Sequence, residues 1–277
     1  MILVLILAIA AQDAPSRALH PHAGSTDDAR LTPEGKLLVT RGAPDRTVKV
    51  WIVDTGKLLY TLADKAEGLA MSADGTSVAV GGLIATTLWD PASGGQTQKL
   101  DTGWTGHLAY SRDGKALTTV SARPQALTVA RWDVKSGQKT KSFDLPMTKD
   151  TIWRALGADG ALLALPMADR TIRIWDVETG RERKRLTEGY EVDPQIAFSR
   201  DGAVMAVVAD AGIEFWDSKS DRRIAVYRLP STGVFVASFV EIAADGKTLL
   251  AGGLFIAKDA PKDKKTTGPL YFWKIKR

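Results

Sequence analysis

Six segments of the chain end in an apolar–polar–apolar–Trp pattern or a close variant. They are V-K-V-W at Trp51, T-T-L-W at Trp89, V-A-R-W at Trp132, I-R-I-W at Trp175, I-E-F-W at Trp216 and L-Y-F-W at Trp273. Alternation of this kind is the period-two signature of a half-buried strand. The tryptophans are spaced 38, 43, 43, 41 and 57 residues apart, so the pattern is a repeat rather than a set of isolated strands. Asp follows Trp89, Trp132, Trp175 and Trp216, whereas Ile52 and Lys274 follow Trp51 and Trp273.

Turn signals run in phase with the strands. Glu34-Gly35, Asp74-Gly75, Asp113-Gly114, Asp159-Gly160, Asp201-Gly202 and Asp245-Gly246 each follow a short segment such as L-A-M-S or I-A-F-S. Each precedes a β-rich run such as K-L-L-V-T or V-M-A-V-V. Gly accepts positive φ and Asp tolerates it, which suits tight hairpins. A later turn, Thr55-Gly56, Ser136-Gly137 or Thr179-Gly180, leads into a fourth strand. Each unit therefore predicts four strands: a before the first turn, b after it, c ending at Trp, and d after the second turn. One such sheet cannot cover both of its faces, but units stacked around an axis cover one another. The expected architecture is an all-β single propeller of four-stranded antiparallel blades.

With these repeats in view, the sequence resembles the WD-repeat β-propeller family. The signature is fullest in Ala168-Asp169-Arg170-Thr171-Ile172-Arg173-Ile174-Trp175-Asp176, and the resemblance covers nearly everything after Ala23. Six units are counted, over about 26–62, 63–101, 102–143, 144–186, 187–228 and 229–277; seven, the family's commonest number, is the alternative. The last unit ends soon after strand c. Residues 16–19 (Ser16 to Leu19) sit where a strand d would end, so an N-terminal strand is expected to complete the last blade, as is usual in the family. The resemblance also implies a hydrogen-bonded structural tetrad of His22, Thr40, Asp45 and Trp51 in the first unit. At the offset of His22 the other units have Leu62, Asp101, Met147, Gly189 and Gly233, so no full tetrad is expected there. Trp89, Trp132, Trp175, Trp216 and Trp273 are expected to be structural.

Composition narrows the chemistry. The chain has 277 residues, 44% hydrophobic and 25% charged, which is ordinary for a globular protein. It has no cysteine, excluding disulfides, thiolate metal sites and cysteine nucleophiles, and no asparagine, excluding N-glycosylation. Its three histidines are His20, His22 and His107. His20-x-His22 has no flanking acidic strand, and Gly246-Lys247-Thr248 has Glu241 where a phosphate loop needs its first glycine. No metal or other cofactor is expected. The net charge is +5, with the surplus concentrated from Asp221 onward at Lys258, Lys262, Lys264, Lys265, Lys274, Lys276 and Arg277. No aromatic residues interleave with the lysines of 258–265, so nucleic acid is not an expected partner.

Met1–Ala10 is apolar and too short to cross a bilayer as a helix, so no transmembrane segment is expected. It fits the apolar core of a signal peptide over 1–11, with Ala8-Ile9-Ala10 as a cleavage pattern. That predicts a periplasmic or extracellular protein; without a functional signal the protein would be cytoplasmic.

Candidate sites come from variation within the repeat. Strand a carries a non-repeating column of Asp28, Gly68, His107, Trp153, Gln195 and Phe239. Connections between units carry Trp104 and Tyr190, and the b–c turns carry Arg41, Arg123 and Arg170. Trp, Tyr and Arg are enriched at binding hot spots. The expected function is a non-catalytic, monomeric scaffold that binds a protein or peptide through Trp104, Trp153, Tyr190, Arg41, Arg123, Arg170, His107 and Gln195. The rival is an exported propeller hydrolase or lyase using Asp28, His107 and Glu241 at the channel mouth; a structural module of an envelope complex is a third reading. The lysine-rich stretch from Phe255 to Pro269 is expected to be a long b–c loop.

Overall fold

The computed structural model describes residues 22, 26–42, 45–123, 126–146, 155–157, 160–167, 169–186, 195–199, 202–209, 212–220, 222–228, 233–242, 248–257 and 270–274. Among them there is no helix. Every sheet is an antiparallel meander, with consecutive strands paired in chain order. Sheet 1 contains β1 (Thr26–Leu31), β2 (Leu37–Gly42), β3 (Val48–Ile52) and β4 (Leu58–Ala63). Sheet 2 contains β5 (Gly68–Met71), β6 (Val78–Gly81), β7 (Thr86–Asp90) and β8 (Gly95–Leu100). Sheet 3 contains β9 (Thr105–Tyr110), β10 (Ala116–Arg123), β11 (Ala126–Asp133) and β12 (Lys139–Pro146). Sheet 4 contains β13 (Ala155–Leu156), β14 (Leu162–Pro166), β15 (Ile172–Asp176) and β16 (Arg181–Leu186). Sheet 5 contains β17 (Gln195–Phe198), β18 (Val204–Ala209), β19 (Gly212–Asp217) and β20 (Arg222–Arg228). Sheet 6 contains β21 (Gly233–Ile242), β22 (Thr248–Ala257) and β23 (Leu270–Lys274). This succession of four-stranded sheets is propeller-like. The N-terminal closing strand expected at 16–19 lies outside the described residues.

First strands of consecutive sheets pack side by side: β1 with β5, β5 with β9, β9 with β13, β13 with β17, and β17 with β21. The approach is close enough to require small residues. A Cβ on Gly68 would stand 2.5 Å from the carbonyl oxygen of Gly106 in the next sheet.

The strand-c pattern explains how the sheets stack. In sheet 1, Val48 and Val50 join a buried cluster with Leu69, Val78 and Val80 of sheet 2. Trp89, on the alternate face of β7, packs against that same cluster from sheet 2. Sheets 2 and 3 share a cluster containing Leu88 and Trp132, sheets 3 and 4 one containing Leu127, Val129 and Trp175, and sheets 4 and 5 one containing Ile172, Ile174 and Trp216. The rule holds from Trp89 to Trp216: each of these tryptophans faces the preceding sheet, and from Val48 to Ile174 the apolar residues alternating along strand c face the following one. Period two thus places two different cores on one strand.

A second set of contacts runs along the opposite edge. Each fourth strand skips one residue opposite the tryptophan; in sheet 1, Trp51 pairs with Leu58 and Val50 with Tyr60. From this bulged stretch a side chain reaches the c–d turn of the next sheet. Tyr60 Oη donates to Ala92 O at 3.3 Å, Gln98 Nε2 to Lys135 O at 3.1 Å, Lys141 Nζ to Glu178 O at 2.9 Å, and Arg183 Nη2 to Lys219 O at 2.7 Å. The four acceptors stand at one repeat position, three residues beyond Trp89, Trp132, Trp175 and Trp216. Glycines at the end of these turns have two reasons to be glycine. Gly94 and Gly137 have φ of 70° and 69°. A Cβ there would lie 2.7 Å from the Tyr60 ring and 2.9 Å from Gln98 Oε1.

One expectation is corrected. The excursion assigned to 255–269 does not begin as a loop: β22 continues through Phe255 to Ala257, which pairs with Gly233. The apolar run Leu254-Phe255-Ile256 finds an antiparallel partner in Val234-Phe235-Val236, so the ladder extends before the chain leaves it. Residues 258–269 lie outside the described residues.

Two outcomes are expected. Trp175→Ala, which empties the core between sheets 3 and 4, should lower unfolding free energy in a denaturant titration by about 3–5 kcal/mol. Gly137→Ala, which forces a Cβ into positive φ against Gln98, should cost about 1–3 kcal/mol in the same titration.

Candidate functional site

The polar centre of sheet 1 joins two hairpin ends. His22 Nδ1 lies 2.9 and 3.1 Å from the two carboxylate oxygens of Asp45, and His22 Nε2 lies 2.9 Å from Thr40 Oγ1. Trp51 Nε1 donates to Thr40 Oγ1 at 2.9 Å. A relay of donors from Trp51 to Thr40, Thr40 to His22 and His22 to Asp45 satisfies all four groups with a neutral imidazole protonated at Nδ1. His22, Thr40 and Trp51 are buried, so each bond replaces hydration lost on folding. Gly42 is small because a Cβ there would stand 2.5 Å from His22 Nδ1. Partial burial pushes the Asp45 carboxyl up, but hydrogen bonds from His22 and Thr47 outweigh it and hold it at about 2.

Other indoles are satisfied differently. Trp132 Nε1 donates to Thr119 Oγ1 at 2.9 Å, using the same b-strand position as Thr40. In sheets 2 and 5 that position is Val80 and Val207. There the acceptor is two residues earlier on the tryptophan's own strand: Thr87 Oγ1 at 2.8 Å from Trp89, and Glu214 Oε2 at 3.1 Å from Trp216. Sheet 4 has Leu165 and Arg173 at the two positions, and neither side chain can accept a hydrogen bond.

At the end of the sheets bearing the b–c hairpins, sheets 2 and 3 form one surface. The β6–β7 hairpin is closed by Gly82 N donating to Ala85 O at 3.0 Å, and its tip carries Leu83 and Ile84, 45% and 74% exposed. The connection from β8 to β9 lies along this hairpin: Gly103 N donates to Ile84 O at 3.2 Å and Thr105 N to Gly82 O at 3.0 Å. Trp104, within that connection, is half-buried, and its carbonyl accepts from Ala122 N at 3.3 Å. Exposed Arg123 follows directly. Beneath lies a hydroxyl network. Thr102 Oγ1 meets Thr86 Oγ1 at 3.0 Å and Thr105 Oγ1 at 2.9 Å, and Thr105 Oγ1 meets Ser121 Oγ at 3.0 Å. The network fixes loop to sheet without charge, and it presents an indole, two aliphatic side chains and a guanidinium on a rigid base.

The remaining candidates are distributed around the sheets. Arg41 is half-buried near the end of β2, where it pairs with Asp28 of β1. Arg170 is exposed in the β14–β15 turn with φ of 62°. His107 is half-buried on β9 opposite Val120. Gln195 opens β17 opposite Val208, and its side chain is outside the described set. Trp153, Tyr190 and His20 lie outside the described residues. Trp273 is placed on β23 opposite Leu249. Asp28, His107 and Glu241 stand on first strands of sheets 1, 3 and 6, and Asp28 forms an ion pair with Arg30 at 2.6 Å.

The turn aspartates serve the backbone. Asp90, Asp133 and Asp217 accept bonds from N–H groups and hydroxyls of their own turns. Bonds from Ser93, Ser136 and Ser220 hold them below the ordinary carboxylate range. Among the described residues no three His, Asp or Glu side chains gather as a metal site would require, and no helix is long and apolar enough to cross a membrane. Leu83 and Ile84 escaped sequence reasoning because G-G-L-I-A reads as strand continuation; the Gly81-Gly82 pair is the signal that could have marked a hairpin. A scan of protein-family models finds no match to the chain, and a search of curated proteins finds none.

Two measurements check the polar centre. Thr40→Val removes the partner of both Trp51 and His22 and should cost about 2–4 kcal/mol, against about 1–2 for Thr119→Val, which strands one indole. Asp45 has a folded pKa below its unfolded value of 3.8. Its stabilisation is therefore present above that value and lost as pH falls toward about 2. An acid titration of Asp45→Asn should show a shallower loss of stability below pH ~4 than the parent, by up to about one proton.

Proposed function

We propose that the protein is a WD-repeat-like propeller of six blades that binds a protein or peptide partner through its hairpin-bearing end. The observation that carries this reading is the surface built by Leu83, Ile84, Trp104 and Arg123. Two consecutive aliphatic side chains at a hairpin tip, one of them 74% exposed, gain nothing in the isolated chain. Placed beside an indole and a guanidinium, they have the make-up of a hot spot: apolar area to bury and one charged group to orient the ligand. The backbone bonds and hydroxyl network below keep the platform preorganised, which reduces the entropy lost on association. Arg41, Arg170 and His107, with Trp153, Tyr190 and Gln195, are assigned to the wider contact area.

Ring closure belongs to the same reading. Each tryptophan from Trp89 to Trp216 is covered by the sheet before it in the chain. Trp51 has no earlier sheet in sequence, yet it is only 8% exposed. In the proposed ring its cover is sheet 6, with residues 16–19 as that sheet's fourth strand. A monomer, exported after removal of residues 1–11, is the form proposed to meet the partner.

The test is crosslinked affinity capture with the intact protein and with a Trp104→Ala, Arg123→Ala double variant of matched thermal stability. Partner recovery is expected to fall at least about tenfold, in keeping with the loss of two hot-spot side chains. Recovery equal to the parent would discard this end as the binding surface.

A further inference from the structure

Two residues beyond the strand-c tryptophan, the first four sheets carry Val53, Pro91, Val134 and Val177. Sheet 5 carries Ser218. The backbone role is unchanged: Val177 N donates to Ala161 O at 2.9 Å and Ser218 N to Ala203 O at 2.8 Å. The side chain differs in size and chemistry. Ser218 is only 6% exposed, and its buried Oγ has no hydrogen-bond partner among the described residues. A hydroxyl in that position costs stability unless something bonds to it.

A cleft opens beside it between sheets 4 and 5, walled by Ser218, Trp216, Lys184, Asp217, Phe198 and Met205. It has room for about one water-sized group. At the mouth, Lys184 Nζ stands 4.6 Å from the Trp216 ring centroid, and the Arg223 guanidinium stands 5.8 Å from it. Glu182 of β16 pairs with Arg185 at 3.1 Å, and two carboxylates of sheet 5 take bonds from their own sheet. Glu214 accepts from Trp216 Nε1 and Arg223 Nη1, each at 3.1 Å, and Asp217 accepts from Lys219 N at 3.0 Å and Ser220 N at 2.7 Å. Around the mouth, Arg181 and Arg183 on β16, Lys219 in the c–d turn and Arg222 on β20 are exposed. The fourth strands grow more basic along the chain: β4 carries no charged residue, β8 only Lys99, β12 Lys139 and Lys141 with Asp144, whereas β16 carries four cations with Glu182 and β20 three.

The geometry points to a docking site for an acidic side chain, a Glu or Asp from an extended acidic segment of a partner protein. One carboxylate oxygen enters the cleft and accepts the Ser218 Oγ–H. The other faces the Lys184 ammonium, and the apolar stem lies on Trp216. Neighbouring acids of the same segment meet Arg181 and Arg222. A carboxylate presents one small oxygen at a time, whereas a tetrahedral phosphodiester is too bulky for a space of one water, which favours an acidic peptide over nucleic acid. The site shares no residue with the Leu83–Trp104–Arg123 surface, so either can fail alone.

The test uses the full chain and a fluorescent peptide of alternating Glu and Ser, with a Gln-for-Glu peptide and a DNA duplex as competitors. The Glu peptide is expected to bind at least about tenfold more tightly than the Gln peptide, the scale of a charge-assisted hydrogen bond. Ser218→Val restores the residue type of sheets 1, 3 and 4 and should fold with an unchanged or raised thermal midpoint. It should nonetheless weaken peptide binding about tenfold, as should Lys184→Gln. Trp104→Ala with Arg123→Ala should leave peptide binding unchanged. Three results would overturn the proposal: full binding by Ser218→Val, which would mark a diffuse basic edge; DNA outcompeting the peptide; or a crystal structure in which the peptide leaves a lone water on Ser218.

Discussion

An antiparallel sheet with apolar side chains on both faces cannot stand in water by itself, and everything else in this molecule answers that constraint. Among the described residues, β7, β11 and β15 each serve two cores at once. In each, the tryptophan closes the gap toward the sheet before, and the valines, leucines or isoleucines alternating with it fill the gap toward the sheet after. The repeat is therefore a rule for stacking rather than a rule for one sheet. The first strands of neighbouring sheets obey a further limit where backbones approach too closely for side chains, as between Gly68 and Gly106.

Burying an indole creates a polar debt, because its N–H leaves water. Sheet 1 settles it with a relay through Thr40 and His22 to Asp45, sheet 3 with a single threonine, and sheets 2 and 5 with a residue on the tryptophan's own strand. These are local solutions to one problem, which is why apolar spacing can stay constant while the polar positions drift. The same latitude allows one sheet to place Ser218 where others keep an apolar residue.

Much of this was readable from residue order. The tryptophan period, the Asp-Gly turns and the alternation around Trp175 specify short antiparallel strands because both signals act within a few residues. What sequence order hides is anything decided between sheets. The bonds from Tyr60, Gln98, Lys141 and Arg183 join residues 32 to 37 positions apart, through side chains of four different types with no common motif. Counted along the chain, the cations of β12, β16 and β20 are diluted by turn aspartates; only the strand pairing puts each set on the outer edge of its own sheet. The surface around Ile84 was hidden likewise, since apolar residues in a short run read as core until the hairpin turns them outward. The Phe255–Ala257 strand was missed for the opposite reason: its lysine-rich continuation outweighed three apolar residues that had a partner waiting in β21.

The contacts from each fourth strand to the next turn have a direction, since the donor always belongs to the earlier sheet and the acceptor to the later one. During synthesis the ribosome delivers the earlier sheet first, with its edge side chains reaching for carbonyls that have not yet been made. Each unit thus waits for its successor before it is fully seated. Nascent intermediates should carry their looseness at the growing end, where the newest sheet has nothing yet to hold.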